Sequence, residues 1–196
     1  MIAGVVFVLA GILIGAAIVM GNREIQAKMS AWQSLAVRTG LSYRPGDVGL
    51  SPSLEGEYED RPVSVGLVVL STGKGERTHT RVSALVKNAK ALSLCVARKG
   101  GPGDAKTCAG RLGLAAVTTG DPDLDLRFEI HASDGAAAKR VLSEKIRKKL
   151  LWEDRIRLAV DGHRATLDVR DAVNDEERLR LLLDLAGLVA GAVETE

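Results

Sequence analysis

The chain has 196 residues, 27 basic and 25 acidic, for a formal net charge of +2; 46% are hydrophobic and only 3% aromatic. That balance excludes a global positive field, so nucleic acid is not an expected partner. The scarcity of aromatics, with Trp32, Tyr43, Tyr58, Phe128 and Trp152 the only ones beyond residue 21, disfavours a base-stacking platform or a carbohydrate groove. The charge is mildly uneven, with 13 basic and 8 acidic side chains over residues 22–110 against 14 and 17 over 111–196.

Residues 1–21 carry no charged side chain, and the first charge is Arg23. About 20 apolar residues cross the hydrocarbon core of a bilayer as a helix, so 1–21 is expected to be an uncleaved transmembrane helix. A signal peptide fits worse, because no basic side chain precedes the run and Val19-Met20-Gly21 is a poor cleavage site. A buried core helix would leave a globular domain no polar face for that segment. Arg23, Lys28 and Arg38 follow the run and nothing basic precedes it. The excess places the chain as a single-pass protein of the plasma (inner) membrane with its C-terminal domain in the cytoplasm. Gly11 and Gly15 are spaced as a small-residue stripe through which two such helices would pack as a homodimer, although glycine is also simply common in membrane helices.

Residues 22–40 predict a juxtamembrane helix, with Ile25, Met29, Trp32, Leu35 and Ala36 on one stripe and Gly40 as its C-terminal cap. Pro45, Gly46, Gly49 and Pro52 predict a loop over 41–53, and the globular domain is expected over 54–196. Strands are expected at 54–58 and 62–71, joined by Glu59-Asp60-Arg61, then at 77–87 and 91–98. A glycine-rich loop is expected over 99–110, and a short strand over 112–118. A strand over 124–131 and one helix over 136–152 follow, the helix capped by Ser133 or Asp134. Asp161-Gly162 signals a two-residue hairpin that would pair Val160 with His163, Leu158 with Ala165 and Arg155 with Asp168. Asn174 or Asp175 caps a last helix packed through Leu179, Leu182, Leu183, Ala186 and Val189. Hairpin neighbours dominate and no regular βαβ alternation exists, so the fold class is α+β: a mainly antiparallel sheet with packed helices, including a C-terminal helix.

Few residues point to chemistry. Walker A, GxSxG and dinucleotide fingerprints are absent, and no cofactor is implied. Cys95 and Cys108 alone cannot make a zinc site. They are expected as free thiols in a cytoplasmic domain, or as a bridge closing 99–107 in an exported one. Asp121, Asp123 and Asp125 alternate, but an EF-hand would need glycine and glutamate where Leu126 and Ala132 stand. An Asx-Pro turn explains most of that segment, and a weak cation site or recognition loop is the sharper reading. The histidines are His79, His131 and His163, and a metal site would need them to converge from separate strands. Lys145, Arg147, Lys148 and Lys149 make one helix basic enough to rest on anionic lipid or bind an acidic partner, against the plain reading of a solvated face.

Thr119-Gly120-Asp121-Pro122, followed by Asp125 and Phe128 and then a helix, resembles a segment of uncharacterised bacterial single-span membrane proteins. The stretch Leu54-x-Gly56-x-Tyr58-x-x-Arg61-Pro62-Val63 is similar too. The likeness spans roughly 30–190 and implies a membrane-anchored bacterial domain without implying catalysis. The leading expectation is therefore a membrane-anchored, non-enzymatic interaction domain. The alternatives are an enzyme using the aspartate loop with His79 or His131, and an extracytoplasmic envelope domain with a cysteine bridge.

Overall fold

The computed structural model of the chain describes residues 30–46, 51–71, 75–88, 90–99, 105–153 and 155–196. The expected span over 1–21, its Gly11 and Gly15, and residues 22–29 lie outside the described residues. Among the described residues no helix is long and apolar enough to cross a membrane.

A helical stretch over 30–39 (α1) ends at Gly40, whose φ of +75° favours glycine and whose N–H reaches the Ala36 carbonyl at 2.8 Å. Trp32, Leu35 and Ala36 are buried, and Trp32 Nε1 donates to the Val173 carbonyl at 2.9 Å. Residues 30–39 thus belong to the core rather than preceding it. The loop expected over 41–53 contains a strand, Ser42–Arg44 (β1). Leu41 is buried and lies against Gly56, where an added Cβ would meet Leu41 Cδ2 at 3.2 Å. That close approach lets β1 pair before Pro45 ends it.

β2 (Ser53–Tyr58) and β3 (Arg61–Ser71) turn at Glu59 and Asp60, both at positive φ, and β4 (Glu76–Leu85) continues the meander. β5 (Leu94–Arg98), β6 (Ala115–Ala116), β7 (Phe128–Ala132), β8 (Ile156–Asp161) and β9 (Arg164–Arg170) complete one sheet, ordered β1-β2-β3-β4-β9-β8-β5-β7-β6. Every pairing of these strands is antiparallel. The expected α+β class and mainly antiparallel sheet are therefore observed.

Four further segments differ from expectation. The loop over 99–110 gives way to a helix, Ala105–Leu112 (α2), whose Cys108 is bonded to Cys95 of β5. The strand over 124–131 begins as a helix, Pro122–Arg127 (α3), because Asp121 caps it and Pro122 is preset for a first turn. The single helix over 136–152 is two, Gly135–Val141 (α4, capped by Asp134) and Glu144–Trp152 (α5). They part where Leu142 turns inward, at 1% exposure, and Ser143 opens the next helix. The hairpin turns at Gly162-His163 instead of Asp161-Gly162, with Gly162 at φ +56° as the first central residue. Partners move by two residues, so the faces survive while Asp168 sits opposite Arg157 instead of Arg155.

Leu94, Val96, Leu158, Val160, Leu167 and Val82 share one face of the sheet, which is covered by α4, α5 and the final helix, Glu176–Glu194 (α6). Leu179, Leu182, Leu183, Ala186 and Val189 of α6 are buried there as expected, and Asp175 is its cap. At the far end of α6, Arg61 Nη1 and Nη2 donate to Glu194 at 2.6 and 2.8 Å, and this pairing holds the carboxyl down to about 2. α2 lies on the opposite face, over β5 and β7.

Candidate functional site

Helix α5 carries the predicted basic cluster, and the structure divides it. Arg147 faces inward and pairs with Asp121 at 3.1 Å, while Lys148 pairs with Glu144 one turn back at 2.6 Å. The hydrogen bond from Lys148 holds the Glu144 carboxyl below its usual range. Lys145 is exposed and Lys149 half-buried, and neither has a carboxylate within ion-pair distance among the described residues. Two of the four cations are thus uncommitted, one is lightly held and one is structural.

The same helix ends in a feature that charge alone did not reveal. Trp152 is 64% exposed at its last position, and Leu181 of α6 is 36% exposed beside it. With Lys148, Lys149, Leu182 and Leu185 they line a groove of about 440 Å³ between α5 and α6. Its floor is fixed by Glu153, which is buried and accepts two hydrogen bonds from Arg178 at 2.8 and 2.7 Å. That pairing raises the Arg178 guanidinium above its ordinary value. The signals were a tryptophan closing a basic helix and a leucine at 181, off the stripe that α6 buries.

The aspartate loop is built for folding. Asp121 accepts from the N–H groups of Asp123 and Leu124 at 3.1 and 3.2 Å, capping α3. Burial pushes the Asp125 carboxyl up, but the N–H and hydroxyl of Thr119 and the N–H of Gly120 outweigh it and hold it low. Asp123 is exposed. His79 is buried in β4 with Nδ1 3.0 Å from the Arg77 carbonyl, whereas His131 lies on β7, four strand spacings or about 19 Å across the sheet. His163 sits in the hairpin turn. The histidines therefore do not converge, and among the described residues no group of three His, Cys, Asp or Glu could hold a metal ion. Asp121→Ala removes both the cap and the partner of Arg147, and is expected to cost about 1–2 kcal/mol in urea unfolding. Asp123→Ala is expected to stay within about 0.5 kcal/mol. An equal loss from both would mean that the loop is held by something other than these bonds.

Cys95 and Cys108 form a disulfide, with Cα atoms 6.3 Å apart, inside the range such a bridge requires. Neither thiol is free.

No family model and no curated protein matches the chain. Its fold is similar to the crystal structure of the mycobacterial trehalose monomycolate transport factor A, TtfA, with a TM-score of 0.57. The superposition covers 84% of this chain and 93% of that one at 10% identity, which carries the fold and no residue roles.

Proposed function

We propose that this chain is a membrane-anchored, non-enzymatic interaction domain whose α5–α6 surface rests on the anionic face of its own bilayer. The observation that carries this is Trp152, exposed beside Leu181 and rimmed by Lys148 and Lys149. Indole favours the headgroup level, and each nearby cation adds about 1 kcal/mol on an anionic surface. The position supports it as well. Ser34 and Arg38 of α1 bond Glu176 at the start of α6, at 2.5 and 2.9 Å. The groove follows along the same helix, with Leu182 about 9 Å further on. Helix α1, which follows the expected span in the chain, is thus held next to the helix whose surface would meet the lipid. TtfA is by name a transport factor, and a shared fold is in keeping with a binding role without assigning a cargo here.

The test uses the full chain in phosphatidylcholine vesicles with and without phosphatidylglycerol. Trp32 is buried, so aqueous acrylamide reports mainly on Trp152. Quenching is expected to fall severalfold on adding the anionic lipid, and to be restored by Lys145→Glu, Lys148→Glu and Lys149→Glu together. Arg147 is left intact because its reversal would break the Asp121 contact. Equal quenching in both vesicles overturns the proposal.

The Cys95–Cys108 pairing favours a second reading of orientation, in which the domain faces an oxidising compartment. It opposes the cytoplasmic placement drawn from Arg23, Lys28 and Arg38. A reporter fused after Glu196 decides between them: an export-active signal supports the bridge as native, and a cytoplasm-active one supports reduced thiols.

A further inference from the structure

The face of the sheet turned away from α6 holds a second concavity of about 520 Å³, and it is lined by arginine. Arg81 on β4 and Arg157 on β8 stand on either side of Asp168 on β9, in register with it. Asp168 is 2% exposed. It accepts from Arg81 Nε and Nη2 at 2.6 and 3.1 Å, and from Arg157 Nε at 3.1 Å and Nη2. One buried carboxylate therefore orients two guanidinium planes and neutralises only one of them. A guanidinium has five N–H donors and each of these spends two on Asp168, so three on each remain. Both arginines keep part of their surface open, 34% and 23%. Arg164 enters from the end of β9 with no carboxylate within ion-pair distance among the described residues. Arg111 enters from α2, 3.6 Å from Asp161. Four arginines against Asp161 and Asp168 leave a formal surplus of two positive charges.

We propose that this groove binds a small phosphorylated molecule through its phosphoryl dianion. Arg81 and Arg157 supply donor forks set by Asp168, and Arg111 and Arg164 stand at the other end of the groove, four residues along β8 and β9, where their charge draws the same anion. Forked donors in a fixed plane suit phosphoryl oxygens better than ammonium groups would. The surplus of two matches a monoester above its second ionisation, near pH 6. The volume lies in the range of about 300–1,000 Å³ found for small-molecule sites. A soluble source is favoured over a lipid headgroup because the groove opens on the face opposite α5 and α6. That last step alone rests on the proposed membrane-facing surface.

The test is calorimetric titration of the full chain in a maltoside detergent with inorganic phosphate and with glycerol phosphate, against chloride at matched ionic strength. Saturable binding with a Kd of about 1 mM or tighter is expected, weakening about tenfold when the pH falls from 7.5 to 5. Arg111→Gln and Arg164→Gln, both on the rim, are each expected to weaken it about tenfold without shifting thermal unfolding. Arg81→Lys with Arg157→Lys keeps the charges around Asp168 but removes the forks, and should weaken it at least as much. No saturable heat by about 10 mM, where a 1 mM site would be nine-tenths filled, overturns the proposal. So does binding that the rim variants leave unchanged. Binding only to phosphatidic acid vesicles, lost in the same variants, keeps the phosphoryl site but overturns the soluble source. The vesicle quenching experiment reads Trp152 on the other face, so failure of one proposal does not imply failure of the other.

Discussion

Replacing Arg81 and Arg157 together with methionine is expected to destabilise the fold by about 3–5 kcal/mol, against about 1 kcal/mol for either change alone. The asymmetry follows from the geometry. Either arginine by itself still keeps the almost fully buried Asp168 ion-paired, Arg81 through both carboxylate oxygens and Arg157 through Oδ2. Removing both leaves a buried charge without a partner, and that cost greatly exceeds the loss of two partly exposed cations. Chemical unfolding of the four members of the cycle measures it. A coupling of at least about 1 kcal/mol beyond additivity is expected, and simple additivity would show that solvent reaches Asp168.

Trp32→Ala is expected to cost a further about 3–5 kcal/mol, as large as any core truncation in the molecule. Trp32 is 1% exposed, packs in the same cluster as Leu179 and Leu183, and donates its indole N–H to Val173. The measurement is the unfolding midpoint of the full chain, with Trp152→Ala as the contrast. That change removes an exposed ring and is expected to stay within about 0.5 kcal/mol. A loss below about 1 kcal/mol for Trp32→Ala would mean that α1 is docked on the domain and not built into it.

Alternation and turn residues were enough for β2 to β4 and for the α+β class, because each strand there pairs with its neighbour in the chain. The hairpin's faces were also legible, since Leu158, Val160, Ala165 and Leu167 must share the core whichever turn is chosen. Its register was not: a glycine can open a turn as readily as close one, and the two choices differ by two residues. The consequence reached the chemistry, because the chosen register decides which arginine faces Asp168. Arg81 joins them from a strand 87 residues earlier, a pairing that no local pattern reports. The helix expected over 136–152 failed for a similar reason. Leu142 satisfies a helical stripe on paper, but burying both Val141 and Ile146 requires a change of axis between them. In the aspartate loop, Asp121-Pro122 was a helix start read as the approach to a strand.

The docking of α1 against Val173 and Glu176 also sets how strong any lipid contact has to be. On the proposed reading, no more than about 30 Å of fully extended chain separates Gly21 at the membrane from Ser30 in the fold. A surface confined so near the bilayer meets lipid at an effective concentration in the millimolar range or above. A handful of lysines and one indole, too weak to recruit a freely diffusing protein, would then be enough to hold the domain against the bilayer most of the time. Each contact stays weak and largely electrostatic, so the orientation of the domain would still respond to modest changes in ionic strength or lipid charge.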